Sequence, residues 1–236
     1  ITEIAGSLKV LRFQSALALQ CFTNDYVYVE TDNESQALEA LEASVKESLS
    51  KGGQPSPQSI LCLAAYKALH EYEWSDFYIA TVDTAEVFKR QVIEPMEETR
   101  LISEIPLLQK ITDKVSSTVR EQYEENPYPR WVNLALPVRP LSIAAVTKDR
   151  ELRLFDLEII DVPNPKILIG GCGTGQNSIG TAARFKNSAV LAVDLSLASL
   201  GYAKRQTQKL GFRNIEPLQA DILDLGKLDR QFDIVE

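Results

Sequence analysis

The hydrophobic and polar positions of this 236-residue chain follow two different patterns, one before about residue 126 and one after Lys166. In the first part, apolar residues recur every three or four positions, which favours helices. The spacing predicts helices over residues 4–23, 33–49, 58–73, 84–93 and 113–125. We therefore expect residues 1–122 to form an all-helical domain, a single bundle rather than a helical repeat because no fixed period recurs.

After Lys166 short apolar runs alternate with helical patterns, which indicates a parallel sheet with crossover helices. The predicted strands are 166–169, 190–193, 215–219 and 232–235, with helices over 176–185 and 197–210 between them. The predicted fold class is α/β, a partial Rossmann-like sheet of about four strands preceded by an all-α domain. Because the chain starts at Ile1 and stops at Glu236 within a strand pattern, we expect a fragment truncated after strand four.

Between these parts, residues 123–160 are predicted to be an aromatic and proline-rich linker or lid. Prolines at 127 and 129 cannot continue a helix and bias the residues before them toward extended conformations. Tyr123, Tyr128 and Trp131 surround these prolines. The segment is either a rigid hinge between two domains or a lid whose aromatic rings contact substrate or cofactor. Residues 161–236 would then be the α/β domain.

Composition excludes several classes of function. The hydrophobic fraction of 44% and the charged fraction of 25% are ordinary for a globular protein. A formal net charge of −8 disfavours nucleic acid as a partner, and no apolar run approaches the ~20 residues of a membrane span. Three dispersed cysteines and a single histidine predict neither a disulfide framework nor a metal site, so the cytoplasm is the expected compartment.

The glycine-rich turn after the first strand is the strongest candidate for a ligand site. Gly171, Gly173 and Gly175 let the main chain turn tightly and approach a ligand, at the start of a helix. Asp194 ends the second strand, where a carboxylate can accept hydrogen bonds from both hydroxyls of a ribose. Asp221 ends the third strand and can accept from the amine of a purine. Together they predict a ligand that contains a nucleoside.

The glycine spacing distinguishes between two classes of nucleoside-containing ligand. A dinucleotide fingerprint requires G-x-G-x-x-G, whereas this turn has G-x-G-x-G. That spacing resembles the first motif of class I S-adenosylmethionine-dependent methyltransferases. The stretch 166–236 resembles the family through ILIGGCGTG, AVDLS, QADIL and FDIVE, and the helical first half with its ENPYPRW stretch resembles a bacterial subgroup.

The resemblance implies S-adenosylmethionine as cofactor and assigns roles to particular residues. Gly171, Gly173 and Gly175 would face its methionine part, with Cys172 a small residue tolerated in the turn. Asp194 would bind the ribose with Leu195 packing on the adenine, and Asp221 would bind the adenine amine with Ile222 beside it. Many family members carry an acidic residue two positions before the first glycine, where this chain has Ile169.

The expected activity is methyl transfer to a small molecule or protein acceptor, by residues that the sequence does not identify. Two alternatives remain: a helical scaffold protein with a degenerate cofactor domain, and a nucleotide-dependent oxidoreductase, which the glycine spacing disfavours. The motif could also be a glycine-rich turn that binds no ligand. The presence of Asp194 and Asp221 at the ends of the next two strands argues against that alternative. An exposed edge of strand four is expected to pair with another copy or to be covered by the helical domain.

Overall fold

The computed structural model describes residues 8–125 and 127–236. The described residues up to Glu97 form one compact unit, and Glu98–Glu236 form the other. In the described ranges every residue before Lys166 is helical or irregular apart from two isolated bridges, and the extended strands all follow it. The all-α region before a parallel sheet is therefore confirmed, whereas the domain limits at residues 122 and 160 stay predictions.

The first unit is built from short helices. They are α1 (Leu8–Thr23), α2 (Asp32–Ser50), α3 (Pro57–Ala64) and α4 (Ala85–Phe88), which continues through a π-helical turn (Lys89–Ile93) into α5 (Glu94–Ile102). From Glu98 onward α5 belongs to the second unit. Thr31 begins α2 with a capping box, because its side chain accepts from the Glu34 N–H while the Glu34 carboxylate accepts from the Thr31 N–H. The helix therefore begins one residue before the start predicted at residue 33.

Helix α3 is shorter than its apolar pattern predicts. The pattern runs from Gln58 to Glu73, but the helix ends at Ala64 and a separate 3₁₀ turn follows at Leu69–Glu71. The Ala64 carbonyl accepts from the Gln91 side chain at 2.9 Å and from the Tyr26 hydroxyl at 3.2 Å. Side chains from distant parts of the chain thus bond to the Ala64 carbonyl, which a longer helix would have bonded to its own backbone.

The second unit contains the sheet and four more helices. They are α6 (Lys114–Glu125), α7 (Ile143–Asp149), α8 (Gln176–Arg184) and α9 (Leu197–Lys209), with strands β1 (Lys166–Gly170), β2 (Ala189–Asp194), β3 (Ile215–Gln219) and β4 (Ile234–Val235). The sheet order is β3-β2-β1-β4, and all three pairings are parallel. The sequence analysis did not predict α7, and a 3₁₀ turn lies at Glu158–Asp161, within the segment predicted as a linker or lid.

Both faces of the sheet are buried, as expected for a parallel sheet. On one face Ile167, Ile169, Val190 and Ala192 pack with Phe185 and Leu200 of the helical layer. On the other, Leu168, Leu191, Val193 and Leu218 pack with Leu108, Leu225 and Phe232. This burial fixes the register, so the carboxyl ends of β1, β2 and β3 meet at one edge. Within the described ranges, no helix has the length and apolar character needed to cross a membrane.

Gly201 has no side chain, which allows α5 and α9 to pack closely. A Cβ added to Gly201 would lie 2.9 Å from Ile102 Cγ1 and 3.1 Å from the Glu98 carbonyl oxygen. We expect Gly201→Ala to lower the free energy of unfolding by about 2 kcal/mol, because the two helices must move apart. Urea denaturation measures the change.

The matched control is Gly180→Ala on α8, where the added Cβ meets no atom within 4 Å. There the substitution should raise the free energy of unfolding by about 0.5–1 kcal/mol, since alanine is the better helix former. Equal changes in the two variants would contradict the close α5–α9 contact.

Candidate functional site

The glycine turn leaves β1 and enters α8 through three left-handed glycines. Gly171, Gly173 and Gly175 have φ angles of +72°, +51° and +89°. A Cβ added at Gly171 or Gly173 would meet no atom within 4 Å, whereas one at Gly175 would lie 2.7 Å from Ala203 Cβ. The first two glycines therefore border open space, and the third allows α8 to start close against α9.

The N–H groups of the turn are largely used inside the protein. Gly171 and Cys172 both donate to the Val193 carbonyl at 2.9 Å, and Gly175 donates to the Cys172 carbonyl at 3.0 Å. Gly173 donates to Asp194 Oδ2 at 2.7 Å. The N–H groups of a glycine turn at a helix start can point at a ligand, whereas these four are bonded within the protein. The turn therefore offers a ligand open space beside the backbone more than free N–H donors.

Asp194 links the turn to the start of α9. Its Oδ2 accepts from Gly173, and its Oδ1 accepts from the Ser196 N–H at 3.0 Å. Burial raises the pKa of this carboxyl, and the N–H bonds from Ser196 and Gly173 offset only part of that effect. Each carboxylate oxygen has a further lone pair, so the group can still accept from a ligand hydroxyl.

Cys172 is placed as a packing residue. Its side chain is buried in the apolar cluster of Ile167, Ile169 and Leu200. Burial raises the pKa of the thiol well above its ordinary value, and the nearby Asp194 charge acts in the same direction. The thiol is therefore protonated at neutral pH.

The end of β3 comes to the same edge of the sheet. The Ala220 N–H donates to the Asp194 carbonyl, and the Gln219 side chain donates to the Leu195 carbonyl. Asp221 is buried and caps the 3₁₀ turn Ile222–Lys227, with Oδ1 accepting from the Leu223 N–H at 2.9 Å. These contacts bring Asp194, Leu195 and Asp221 close together.

Ile222 carries an exposed apolar side chain into this edge. It is 57% exposed, and its Cγ2 lies 3.8 Å from the position of a Cβ built on Gly170. Ile222 therefore lies beside the end of β1, next to the glycine turn. The position that is acidic in many related sequences is Ile169, which is buried in the core. The chain offers no carboxylate there.

The three aromatic lid candidates are placed differently. Tyr123 and Tyr128 are exposed, whereas Trp131 is 7% exposed and packs with Ile179 and Tyr202. The Trp131 indole N–H donates to the Thr174 carbonyl at 3.0 Å. Trp131 thus packs against the turn from the protein interior. The exposed rings among the lid candidates are those of Tyr123 and Tyr128.

Two residues at this site had no individual role in the sequence-based picture. Glu124 accepts from the Leu197 and Ala198 N–H groups, and Thr174 donates to the Pro129 carbonyl at 2.9 Å. Glu124 lies one residue before the ENPYPRW stretch, and Thr174 lies within the glycine turn. Their pairing was hidden because it joins segments 45 or more residues apart.

Open space borders Gly171 and Gly173, at the edge of the sheet where the Asp194 carboxylate and the exposed side chain of Ile222 also lie. Among the described residues, no three His, Cys, Asp or Glu side chains cluster as a metal ion would require. A cavity of about 760 Å³ lies at the opposite edge, beside Lys166, Asn214 and Phe232 at the amino ends of the strands. It is remote from the glycine turn.

Comparison with known proteins agrees with this geometry. Residues 167–236 match the family model described as a methyltransferase domain. Two uncharacterized proteins of Rickettsia prowazekii are similar to parts of the chain. RP789 is 31% identical over 113 residues, covering 48% of this chain and 19% of its own length. RP028 is 28% identical over 121 residues, covering 51% and 46%. The chain thus spans less than half the length of these curated relatives.

Solved structures overlap the chain only in part. PKMT2 from Rickettsia typhi, determined in complex with AdoHcy, is 32% identical with a TM-score of 0.29 and covers 31% of this chain and 14% of its own. The magnesium protoporphyrin IX methyltransferase of Synechocystis PCC 6803, determined with bound SAM, is 19% identical with a TM-score of 0.34 and covers 54% and 62%. The similarity rests on the match over residues 167–236 and on the motifs within it. Over these residues the chain matches the family described as a methyltransferase domain.

Proposed function

We propose that this chain binds S-adenosylmethionine at the carboxyl edge of its sheet and takes part in methyl transfer. The observation that carries the proposal is the bond from the Gly173 N–H to Asp194, at 2.7 Å, within the segment that matches the family model. It joins the glycine turn and the strand-end carboxylate into one unit. The open space beside that unit is where a cofactor would lie.

Each candidate residue has a role in this proposal. Asp194 accepts from the ribose hydroxyls, and Leu195 packs on one side of the adenine. Asp221 accepts from the adenine amine, and the exposed Ile222 covers the ring from the side of β1. The turn from Gly171 to Gly175, with Cys172 buried within it, faces the methionine part.

The cofactor, when bound, supplies a methyl group on a positively charged sulfur, which is already activated toward a nucleophile. The work left to the protein is to align the acceptor with that methyl group, and alignment contributes up to ~7–11 kcal/mol to lowering a barrier. A general base is required only if the acceptor must lose a proton first. The exposed rings of Tyr123 and Tyr128 are the candidates for contacting the acceptor.

The hydrogen bonds of the turn favour this cofactor over a dinucleotide. A pyrophosphate is held by N–H groups that point out of a glycine turn. Here the N–H groups of Gly171, Cys172, Gly173 and Gly175 are bonded within the protein. An uncharged or zwitterionic ligand part suits such a turn better than a phosphate does.

The acceptor is proposed to be a small molecule or a protein. The net charge of −8 disfavours nucleic acid, since phosphate binding requires a basic surface. A cytoplasmic location and pairing of the β4 edge with a second copy remain predictions from the sequence.

Isothermal titration calorimetry with S-adenosylhomocysteine tests the proposal. We expect saturable one-to-one binding that S-adenosylmethionine competes away and that NAD does not. Binding of NAD with comparable affinity would favour the oxidoreductase instead. Heat changes equal to dilution for both ligands would reject the proposal and support the scaffold alternative, which a pull-down with the helical region then tests.

A further inference from the structure

Two anchors connect the stretch before the sheet to the two loops of the proposed cofactor site. The first is Glu124, at the end of α6, which contacts the start of α9. The second is Trp131, which contacts the glycine turn. The segments that they hold are those that carry Asp194 and Gly173.

The Glu124 anchor fixes the connection between Asp194 and α9. Glu124 Oε1 accepts from the Leu197 N–H at 2.8 Å, and Oε2 accepts from the Ala198 N–H at 2.9 Å. A carboxylate at this end of a helix also interacts favourably with the helix dipole. Ser196 completes the arrangement, because its hydroxyl donates to the Tyr123 carbonyl.

Asp194 holds the same connection from the other side. Its Oδ1 accepts from the Ser196 N–H, one residue before the first N–H that Glu124 binds. Three successive N–H groups, those of Ser196, Leu197 and Ala198, are therefore bonded where β2 leads into α9. The position of this connection determines where the Asp194 carboxylate points.

The Trp131 anchor holds the turn itself. Trp131 donates through its indole N–H to the Thr174 carbonyl, and Thr174 returns a bond from its hydroxyl to the Pro129 carbonyl. The Trp131 carbonyl accepts from the Tyr202 hydroxyl and from Gln206 Nε2, both on α9. Thr174, Tyr202 and Gln206 are each 2% exposed, so water does not compete for these bonds.

The glycine turn has particular need of such support. Three of its five residues are glycines, which have more accessible conformations than any other residue. A ligand that binds only one conformation of the turn loses affinity in proportion to the fraction of molecules that adopt another. Bonds that hold the turn in place before binding remove that loss.

We propose that Glu124 and Trp131 are positioning residues, which hold the start of α9 and the glycine turn in the conformation that accepts the cofactor. This inference rests on the proposed function for its ligand. The anchors themselves act on the protein before any ligand binds, so they can be tested separately.

Two variants test the proposal. Trp131→Phe keeps the aromatic packing but removes the indole donor, and Glu124→Gln keeps the size of the side chain but removes its charge and one acceptor. We expect each to speed amide hydrogen exchange in a peptide covering residues 170–180 about tenfold in the ligand-free protein. The dissociation constant for S-adenosylhomocysteine should rise by a similar factor, with circular dichroism unchanged.

The chain offers a matched control for each variant. Trp74 is also buried, but its indole nitrogen has no hydrogen-bond partner among the described residues, so Trp74→Phe removes the same atoms without breaking a bond. Glu121 lies on α6 in an exposed position, so Glu121→Gln makes the same change of charge. Both controls should leave exchange at 170–180 and the dissociation constant as in the wild type.

The outcomes separate the two claims. Wild-type exchange at 170–180 in both anchor variants would overturn the inference, and so would equal changes in the controls. If Trp131→Phe fails to fold, Glu124→Gln, which lies nearer the surface, decides alone. Absence of S-adenosylhomocysteine binding by the wild-type protein would reject the proposed function, while the exchange measurement would still decide whether the anchors hold the turn.

Discussion

Gly175→Ala is expected to lower the free energy of unfolding by about 3 kcal/mol, measured by urea denaturation. Two effects add. A φ of +89° is unfavourable for any residue with a Cβ, and the new Cβ would lie 2.7 Å from Ala203 Cβ and 3.1 Å from Ala203 Cα. Since part of the clash is with the main chain of α9, a side-chain rotation cannot relieve it.

Gly171→Ala is the matched control for this substitution. Its φ of +72° brings the same backbone cost, but the added Cβ meets no atom within 4 Å. We expect a loss of only about 1–2 kcal/mol. In a double-mutant cycle, Ala203→Gly should recover part of the loss in Gly175→Ala, because it removes the closest atom. Equal losses at Gly175 and Gly171 would show that the contact with α9 does not matter.

Local patterns were sufficient to predict the elements of the sheet. The predicted bounds of β3 agree with the structure, and those of α9 agree to within one residue, because hydrophobic periodicity is a property of neighbouring positions. The resemblance to methyltransferases, with which the family match over residues 167–236 agrees, also came from local spacing, that of Gly171, Gly173 and Gly175.

Contacts between distant segments decided what the sequence could not predict. Helix α3 stops at Ala64 because Tyr26 and Gln91, from other parts of the chain, bind its carbonyl. The apolar pattern continues beyond that point and gives no sign of it. A side-chain bond over such a separation has no local signature.

The same limit applies at the candidate site. Asp194 was predicted to face a ligand from its place at the end of β2. That it also accepts from Gly173 and Ser196 depends on how the turn folds back over the strand end. Glu124 lies just before a motif, but its role as a cap for α9, 73 residues later, follows only from the packing of α6 on α9.

Asp194→Ala is expected to weaken binding of S-adenosylhomocysteine about 10- to 150-fold, as measured by calorimetry. Loss of a hydrogen bond to a charged acceptor costs about 1.5–3 kcal/mol, which corresponds to that range. The variant also removes the acceptor of the Gly173 N–H, so the turn is less well held. Asp229→Ala, an exposed aspartate beside the cavity at the opposite edge of the sheet, is the control and should bind as the wild type does.

The pH dependence gives this prediction a second, independent readout. Burial raises the pKa of Asp194 above the ordinary value of about 3.9, so its carboxylate is protonated at a higher pH than an exposed aspartate. Affinity for the ligand should therefore begin to fall at a higher pH during acidification. The contribution of Asp194 to stability has the opposite sign. Because its pKa is raised by folding, that contribution is fully present below the unfolded pKa and is lost as the pH rises through the folded pKa.

Asp194→Asn separates the effect of this carboxyl from those of the other acids. The difference in unfolding free energy between wild type and variant should shift in favour of the wild type as the pH falls through the folded pKa, while the advantage of the wild type in affinity shrinks. An affinity difference that is independent of pH over this range would mean that the charge of Asp194 is not what the ligand recognises. Opposite pH trends in stability and affinity are expected of a buried carboxylate that stays ionised at neutral pH to accept hydrogen bonds from a ribose.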